Sequence, residues 1–138
     1  MKFVKYCAWL TKNAPAHTYR LPTEGEWEFA AGHMPKDADF NCGVGDTLQP
    51  VDAYAQTKGA CGGIDFWGNC WEWTSTEIVA RNGRERGEKV NAIKGGSWYA
   101  MRNSCRTDYK GEGRRPGGCY NTVGFRVVAV PKANKGSK

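Results

Sequence analysis

Apolar residues recur at helical spacing at the amino end of the chain. Phe3, Val4, Cys7, Ala8 and Leu10 give residues 2–13 one apolar face, and Asn13 with Pro15 ends the run. Tyr19-Arg20-Leu21-Pro22 reads as an extended entry to a second helix. There Thr23 and Glu26, three apart, make a capping box; Trp27, Ala30 and Ala31 form the buried face, and Gly32 stops it. Residues 33–63 lose periodicity and predict a long loop, broken by a short strand at Val51–Tyr54. So long a connection in a compact domain needs something to order it, such as a metal ion. Residues 66–76 alternate, with Trp67, Trp71 and Trp73 on one side and Cys70, Glu72 and Thr74 between, the pattern of a strand with a heavily packed face. Residues 77–91 are charged and read as loop, whereas Ala92–Tyr99 and Val123–Val130 are the clearest strands.

Composition refines this picture. At 138 residues the length suits one domain, here 1–130, followed by a basic polar tail, 131–138. Eighteen glycines argue for short strands, tight turns and loops, and six tryptophans can supply much of the buried area. The net charge is +6, and 14 of the 20 Lys and Arg lie after Ala80, against four of the 14 acids. A basic half can attract nucleic acid, but no nucleic-acid module is recognisable, so the charge reads as a solvated face and none is expected as partner. No run of about 20 apolar residues is present, so direct membrane insertion by this chain is not expected. Of the six cysteines, no two have the C-x-x-C spacing of a zinc site, and sequence cannot choose among disulfide pairings or free thiols.

Four motifs stand in order: Tyr19-Arg20-Leu21-Pro22-Thr23 with Glu26-Trp27-Glu28-Phe29-Ala30-Ala31, then Gly68-Asn69-x-Trp71-Glu72-Trp73, then Gly95-Gly96-Ser97-Trp98, then Gly124-Phe125-Arg126. Together they resemble the signature of formylglycine-generating-enzyme (sulfatase-modifying factor) domains, a branch of the C-type-lectin-like fold. The resemblance implies an α+β domain with two helices packed on a twisted antiparallel sheet. The family's opening strand and hairpin are missing, which points to truncation or rearrangement. In the oxidase, two copper-binding cysteines follow the Ser of Gly-Gly-Ser by three and eight residues. Those positions are Ala100 and Cys105 here, and one thiolate cannot give the paired soft ligands of Cu(I), so no copper and no catalysis are expected. The rival reading is a formylglycine-generating-type oxidase or a degenerate relative. Neither histidine accompanies a nucleophile motif.

A narrower resemblance attaches to Gly95 through Arg106, Arg115-Pro116 and Val123 through Val128. This stretch is similar to the variable region of diversity-generating-retroelement proteins, in which copying errors at adenines rewrite chosen codons. It implies non-catalytic binding of a protein or surface ligand, and display at the cell surface. The variable region would run over about 98–123, between Trp98 and Phe125 as apolar anchors. Contact candidates are Tyr99, Ala100, Met101, Asn103, Ser104, Asp108, Tyr109, Gly111, Gly113, Arg114, Gly118, Tyr120 and Asn121. Freely rewritten side chains must face solvent, where substitutions cost within about 0.5 kcal/mol. Tyr99, Tyr109 and Tyr120 are the natural contacts, being amphipathic and stiff, and Tyr99→Ser or Tyr120→Ser is expected to leave the melting temperature nearly unchanged.

The family resemblance also implies a structural calcium held by the Asp65 and Glu72 carboxylates and the Gly68 and Cys70 carbonyls. Calcium tolerates such irregular oxygen sets. The same two carboxylates equally read as turn caps and buried hydrogen-bond acceptors. A second, weaker set is Asn41, the Cys42 carbonyl, Asp46 and the Leu48 carbonyl.

Overall fold

A computed structural model describes residues 2–43 and 47–133. Helix α1 (Lys2–Asn13) buries Phe3 and Cys7, while Val4 and Ala8 are exposed, so its buried face is narrower than the apolar spacing suggests. Strand β1 (His17–Arg20) leads to helix α2 (Glu24–Ala31). The capping box is complete: Thr23 Oγ1 accepts from the Glu26 N–H, and the Glu26 carboxylate accepts from the Thr23 N–H. Arg20 holds that carboxylate from the other side, and the two bonds together lower it to about 2. Gly32 ends the helix at a positive φ, where a Cβ would press on Ala60.

The main sheet has the order β4-β3-β2-β5, built from β2 (Trp71–Val79), β3 (Lys89–Lys94), β4 (Gly113–Arg114) and β5 (Val123–Gly124). Its pairs are antiparallel except β2 with β5, which run parallel. Strand β6 (Val128–Pro131) leaves this sheet and pairs antiparallel with β1. Two apolar clusters fill the interior. Trp27, Ala31, Phe40, Phe66, Trp67 and Cys105 form one; Phe3, Leu21, Trp71, Trp73 and Ile93 form the other.

Several sequence expectations need correction. Val51–Tyr54 is a run of exposed or half-exposed turn, not a strand. The strand expected from residue 66 starts at Trp71, because Asp65, Gly68 and Asn69 all take positive φ. The charged 77–91 stretch is partly sheet, a hairpin of β2 and β3. The expected Ala92–Tyr99 strand stops at Lys94, where Gly95 and Gly96 turn the chain. The Val123–Val130 run is split into β5 and β6, since Arg126 is drawn inward between them.

The long loop is ordered by a side-chain amide. Asn69 Nδ2 donates to the Gln49 carbonyl at 3.0 Å, and its Oδ1 accepts from the Gln49 N–H at 2.9 Å and from Asn41 Nδ2 at 3.3 Å. Main-chain bonds from Ala60 and Cys61 to the α2 carbonyls of Ala31 and Ala30 tie down its far end.

Candidate binding surface and its frame

Beneath the last third of the chain lies a frame of buried polar groups. Glu72 on β2 is fully enclosed, and its carboxylate accepts from Trp27 Nε1 at 2.8 Å and from Arg126 Nε and Nη2 at 2.5 and 2.8 Å. Arg126 Nη2 also donates to the Asp65 carbonyl at 2.9 Å, and the guanidinium lies 3.9 Å from the Phe66 ring centre. A buried pair of this kind stands only when its remaining donors and acceptors are met, as they are here. Gly95 is required where it turns: a Cβ there would strike the Phe66 carbonyl and the Trp27 ring. The Trp98 N–H then bonds to the Asn69 carbonyl at 2.8 Å, so the 98–123 segment leaves from the same Asn69 that orders the long loop.

Lys94, buried at the end of β3, ties the segment from below. Its ammonium donates to Glu28 at 2.9 Å, to the Thr107 carbonyl at 2.9 Å and to the Tyr109 carbonyl at 2.6 Å. Arg102, on the short helix α3 (Arg102–Cys105), donates to the Ala38 and Lys36 carbonyls, both at 2.9 Å, and lies over Phe40. Sequence reasoning missed the roles of Lys94, Arg102 and Arg126.

The thirteen contact candidates divide. Tyr99 and Met101 are exposed at 75% and 73% of their surface, and Asn103, Asp108 and Asn121 are exposed as well. Asp108 pairs with Arg106. Ser104 is half-buried. Ala100 packs against both core clusters and its carbonyl accepts from the Gly43 N–H, so it does not face solvent freely. Tyr109 packs on Trp71 and donates its hydroxyl to Glu112 at 3.0 Å. Tyr120 packs on Trp73 and under the Arg114 guanidinium. Arg114 itself pairs with Glu112 and Glu85. Gly111 and Gly113 are buried, and Gly118 would press a Cβ onto the Tyr120 ring. The expectation that all these positions face solvent therefore fails at Ala100, Tyr109, Gly111, Gly113, Arg114, Gly118 and Tyr120. The expected anchors also change. Trp98 is half-buried, its indole N–H enclosed without an acceptor among the described residues, and Phe125 is 41% exposed. Phe125 lies against Phe3 and Tyr6 beside a groove of about 370 Å³ that Tyr120, Gly118 and Trp73 also line.

The first calcium set is engaged in part. Glu72 is already neutralised by Arg126. Asp65 accepts one side-chain bond, from Asn69 at 2.9 Å. Burial, reinforced by the Glu72 charge, pushes its carboxyl up to about 6. The Arg126 charge opposes this rise without outweighing it, and a carboxylate beside main-chain carbonyls is an oxygen set of the kind a hard cation takes. Among the described residues no three His, Cys, Asp or Glu side chains converge. In the second set, Asn41 spends its amide on the Thr47 carbonyl and Asn69, and Asp46 lies outside the described residues.

Comparison with known proteins adds the following. Residues 2–131 match the model of the sulfatase-modifying factor enzyme 1-like domain. The inactive C-alpha-formylglycine-generating enzyme 2 of Bos taurus is 27% identical over 153 residues, covering 90% of this chain and 46% of its own. The hercynine oxygenase of Mycobacterium tuberculosis is 34% identical over 107 residues, covering 57% of this chain and 25% of its own. Among solved structures, PvdO from Pseudomonas aeruginosa aligns with a TM-score of 0.69 at 21% identity, over 94% of this chain and 58% of that one. Treponema denticola variable protein 1 aligns with a TM-score of 0.59 at 23% identity, over 82% and 48%. The chain thus spans about half the length, or less, of the curated relatives it matches.

Proposed function

This chain belongs to the sulfatase-modifying factor enzyme 1-like family and has the C-type-lectin-like α+β fold; from that premise we propose that it is a non-catalytic binding domain. Its permissive surface, centred on Tyr99 and Met101, takes a protein or cell-surface ligand, and a retroelement diversifies it. The likeness to an inactive formylglycine-generating enzyme and to a variable protein is compatible with a domain that does no chemistry.

One observation carries the reading. Tyr99 and Met101, two large side chains, stand almost fully in water on a turn whose base is fixed by Ser97, Asn69 and the Gly43–Ala100 bond. Exposed aromatic and thioether groups on a rigid base supply contact area at low entropy cost.

A library randomised at Tyr99, Met101, Asn103, Asp108 and Asn121, displayed on yeast, tests it. Most members should display at the parental level, and panning on a folded protein target should return clones specific to it. Loss of display in most members would overturn the reading, as would copper-dependent consumption of a cysteine peptide by the parent. In the genome, the expected sign is a neighbouring reverse transcriptase with a template repeat differing at adenines.

We also propose a structural calcium, held by the Asp65 carboxylate with the Gly68 and Cys70 carbonyls, while Glu72 keeps its pairing with Arg126. The ion's charge would offset the burial of the Asp65 carboxylate. Calcium should raise the melting temperature of the parent and not of Asp65→Asn. No rise in the parent would remove the site.

A further inference from the structure

We propose that Cys42 and Cys105 form a dithiol that closes to a disulfide on exposure to a small disulfide oxidant, stapling the long loop to the display segment. All six cysteines are free thiols in this structure. Cys105, at the end of α3, is completely enclosed among Trp27, Phe40, Phe66 and Trp67, and Cys42 packs against that same cluster while half-exposed. The two come from distant parts of the chain, yet the backbone already docks them together. The Gly43 N–H donates to the Ala100 carbonyl at 2.8 Å, just after Cys42. Just before it, Arg102 holds the Ala38 carbonyl at 2.9 Å and covers the Phe40 ring at 4.7 Å. The loop is thus pinned to the α3 turn on both sides of Cys42. Both side chains meet in the cluster of Trp27, Phe40, Phe66 and Trp67, and burial pushes the Cys105 thiol up to about 12.

The enclosure of Cys105 sets the order of events. A thiol with no surface in water cannot meet a soluble disulfide, so the half-exposed Cys42 reacts first. Its thiolate attacks oxidised glutathione, forming a mixed disulfide at Cys42 and releasing one glutathione thiolate. Cys105 then gives up its proton as its sulfur attacks the Cys42 sulfur, and the second glutathione leaves. Two protein thiols are oxidised and one glutathione disulfide is reduced to two glutathione molecules, so electrons balance without any further oxidant. Cys61 and Cys119, both exposed, can take up glutathione.

The consequence concerns the base of the binding surface, although the chemistry stands whether or not that surface binds a ligand. Closing the bond would fix the 35–43 loop to the segment that carries Met101 and Asn103. The full chain is treated with oxidised glutathione, quenched with an alkylating agent, digested and examined by mass spectrometry. The dominant internal disulfide should join the Cys42 and Cys105 peptides, with a mass loss of about 2 Da that dithiothreitol reverses. The oxidised protein should melt several degrees above the reduced one, as cross-linking a long loop predicts. Because a substitution at enclosed Cys105 could itself disturb folding, the control is Cys42→Ser. It should keep the reduced melting temperature within about 2 °C of the parent, since Cys42 is half-exposed, yet lose both the cross-linked peptide and the oxidative rise. The proposal is overturned if Cys105 stays free after oxidation, if it pairs with another cysteine, or if the rise survives in Cys42→Ser.

Discussion

The two halves of the 98–123 segment are made of the same kinds of residue and are packed differently. Residues 99–108 carry Tyr99, Met101, Asn103 and Asp108 out into water. Residues 109–121 turn Tyr109 and Tyr120 onto Trp71 and Trp73, bury Gly111 and Gly113, and hold Arg114 between Glu85 and Glu112. Glycine, tyrosine and arginine suit an adaptable surface, and they equally suit a tight interior made of backbone contacts, ring edges and ion pairs. A lack of aliphatic residues therefore does not establish exposure. The exposed candidates are Tyr99, Met101, Asn103 and Asp108 in the first half, with Asn121; the candidates of the second half are otherwise largely part of the frame.

The contrast breaks most sharply at Gly113. Any side chain there enters the space of Val90, and its Cβ would also lie 2.7 Å from the Asn91 carbonyl. Gly113→Val should cost about 3 kcal/mol by overpacking, and lower the melting temperature by roughly 10 °C. Thermal denaturation followed by circular dichroism measures it. If the variant melts with the parent, β4 is not held against β3 and residue 113 returns to the permissive set.

Tyr120→Ser is the intermediate case, and here the structure reverses the expectation drawn from sequence. The ring is half-buried on Trp73, faces Arg114, and closes against Gly118. Truncating a ring half-enclosed in this way should cost about 1–2 kcal/mol, less than the loss at a fully buried aromatic. Urea denaturation should show the midpoint falling with little change in slope. An unchanged midpoint would return Tyr120 to the surface.

What the sequence made legible was local. Thr23 with Glu26 predicted the α2 cap, Gly32 its end, and the tryptophan alternation the packed face of β2, because each signal acts over a few residues. The resemblance supplied the order of the fold. What remained hidden depends on groups distant in the chain. Glu72 looked like a calcium ligand, and nothing near it in sequence foretold that Arg126 would reach its carboxylate. Lys94 fell inside the strand expected over Ala92–Tyr99, and nothing there foretold that its ammonium would meet the Thr107 and Tyr109 carbonyls. The Val123–Val130 run read as one strand because apolar periodicity carries no record of a guanidinium pulling the chain inward at its centre. Of the binding candidates, sequence identified the exposed ones and over-extended the set, since burial through glycine and ion pairs leaves no hydrophobic stripe to read.

The smallest expected effect on stability is the most telling. Tyr99 meets Trp98 edge-on and little else, with three quarters of its surface in water, so Tyr99→Ser should shift stability by no more than about 0.5 kcal/mol. Its melting curve should overlay that of the parent. Against a partner selected by the parent surface, however, removing an exposed aromatic from the centre of the contact should weaken binding by about tenfold to a hundredfold. The pairing of these two outcomes matters more than either alone. A fall in both would mean that Tyr99 braces the turn, and the exposed half would then resemble the buried half. A fall in neither would leave the ring without a role in folding or in recognition. Only unchanged folding with lost binding fits a side chain held out by a stiff base for something else to touch.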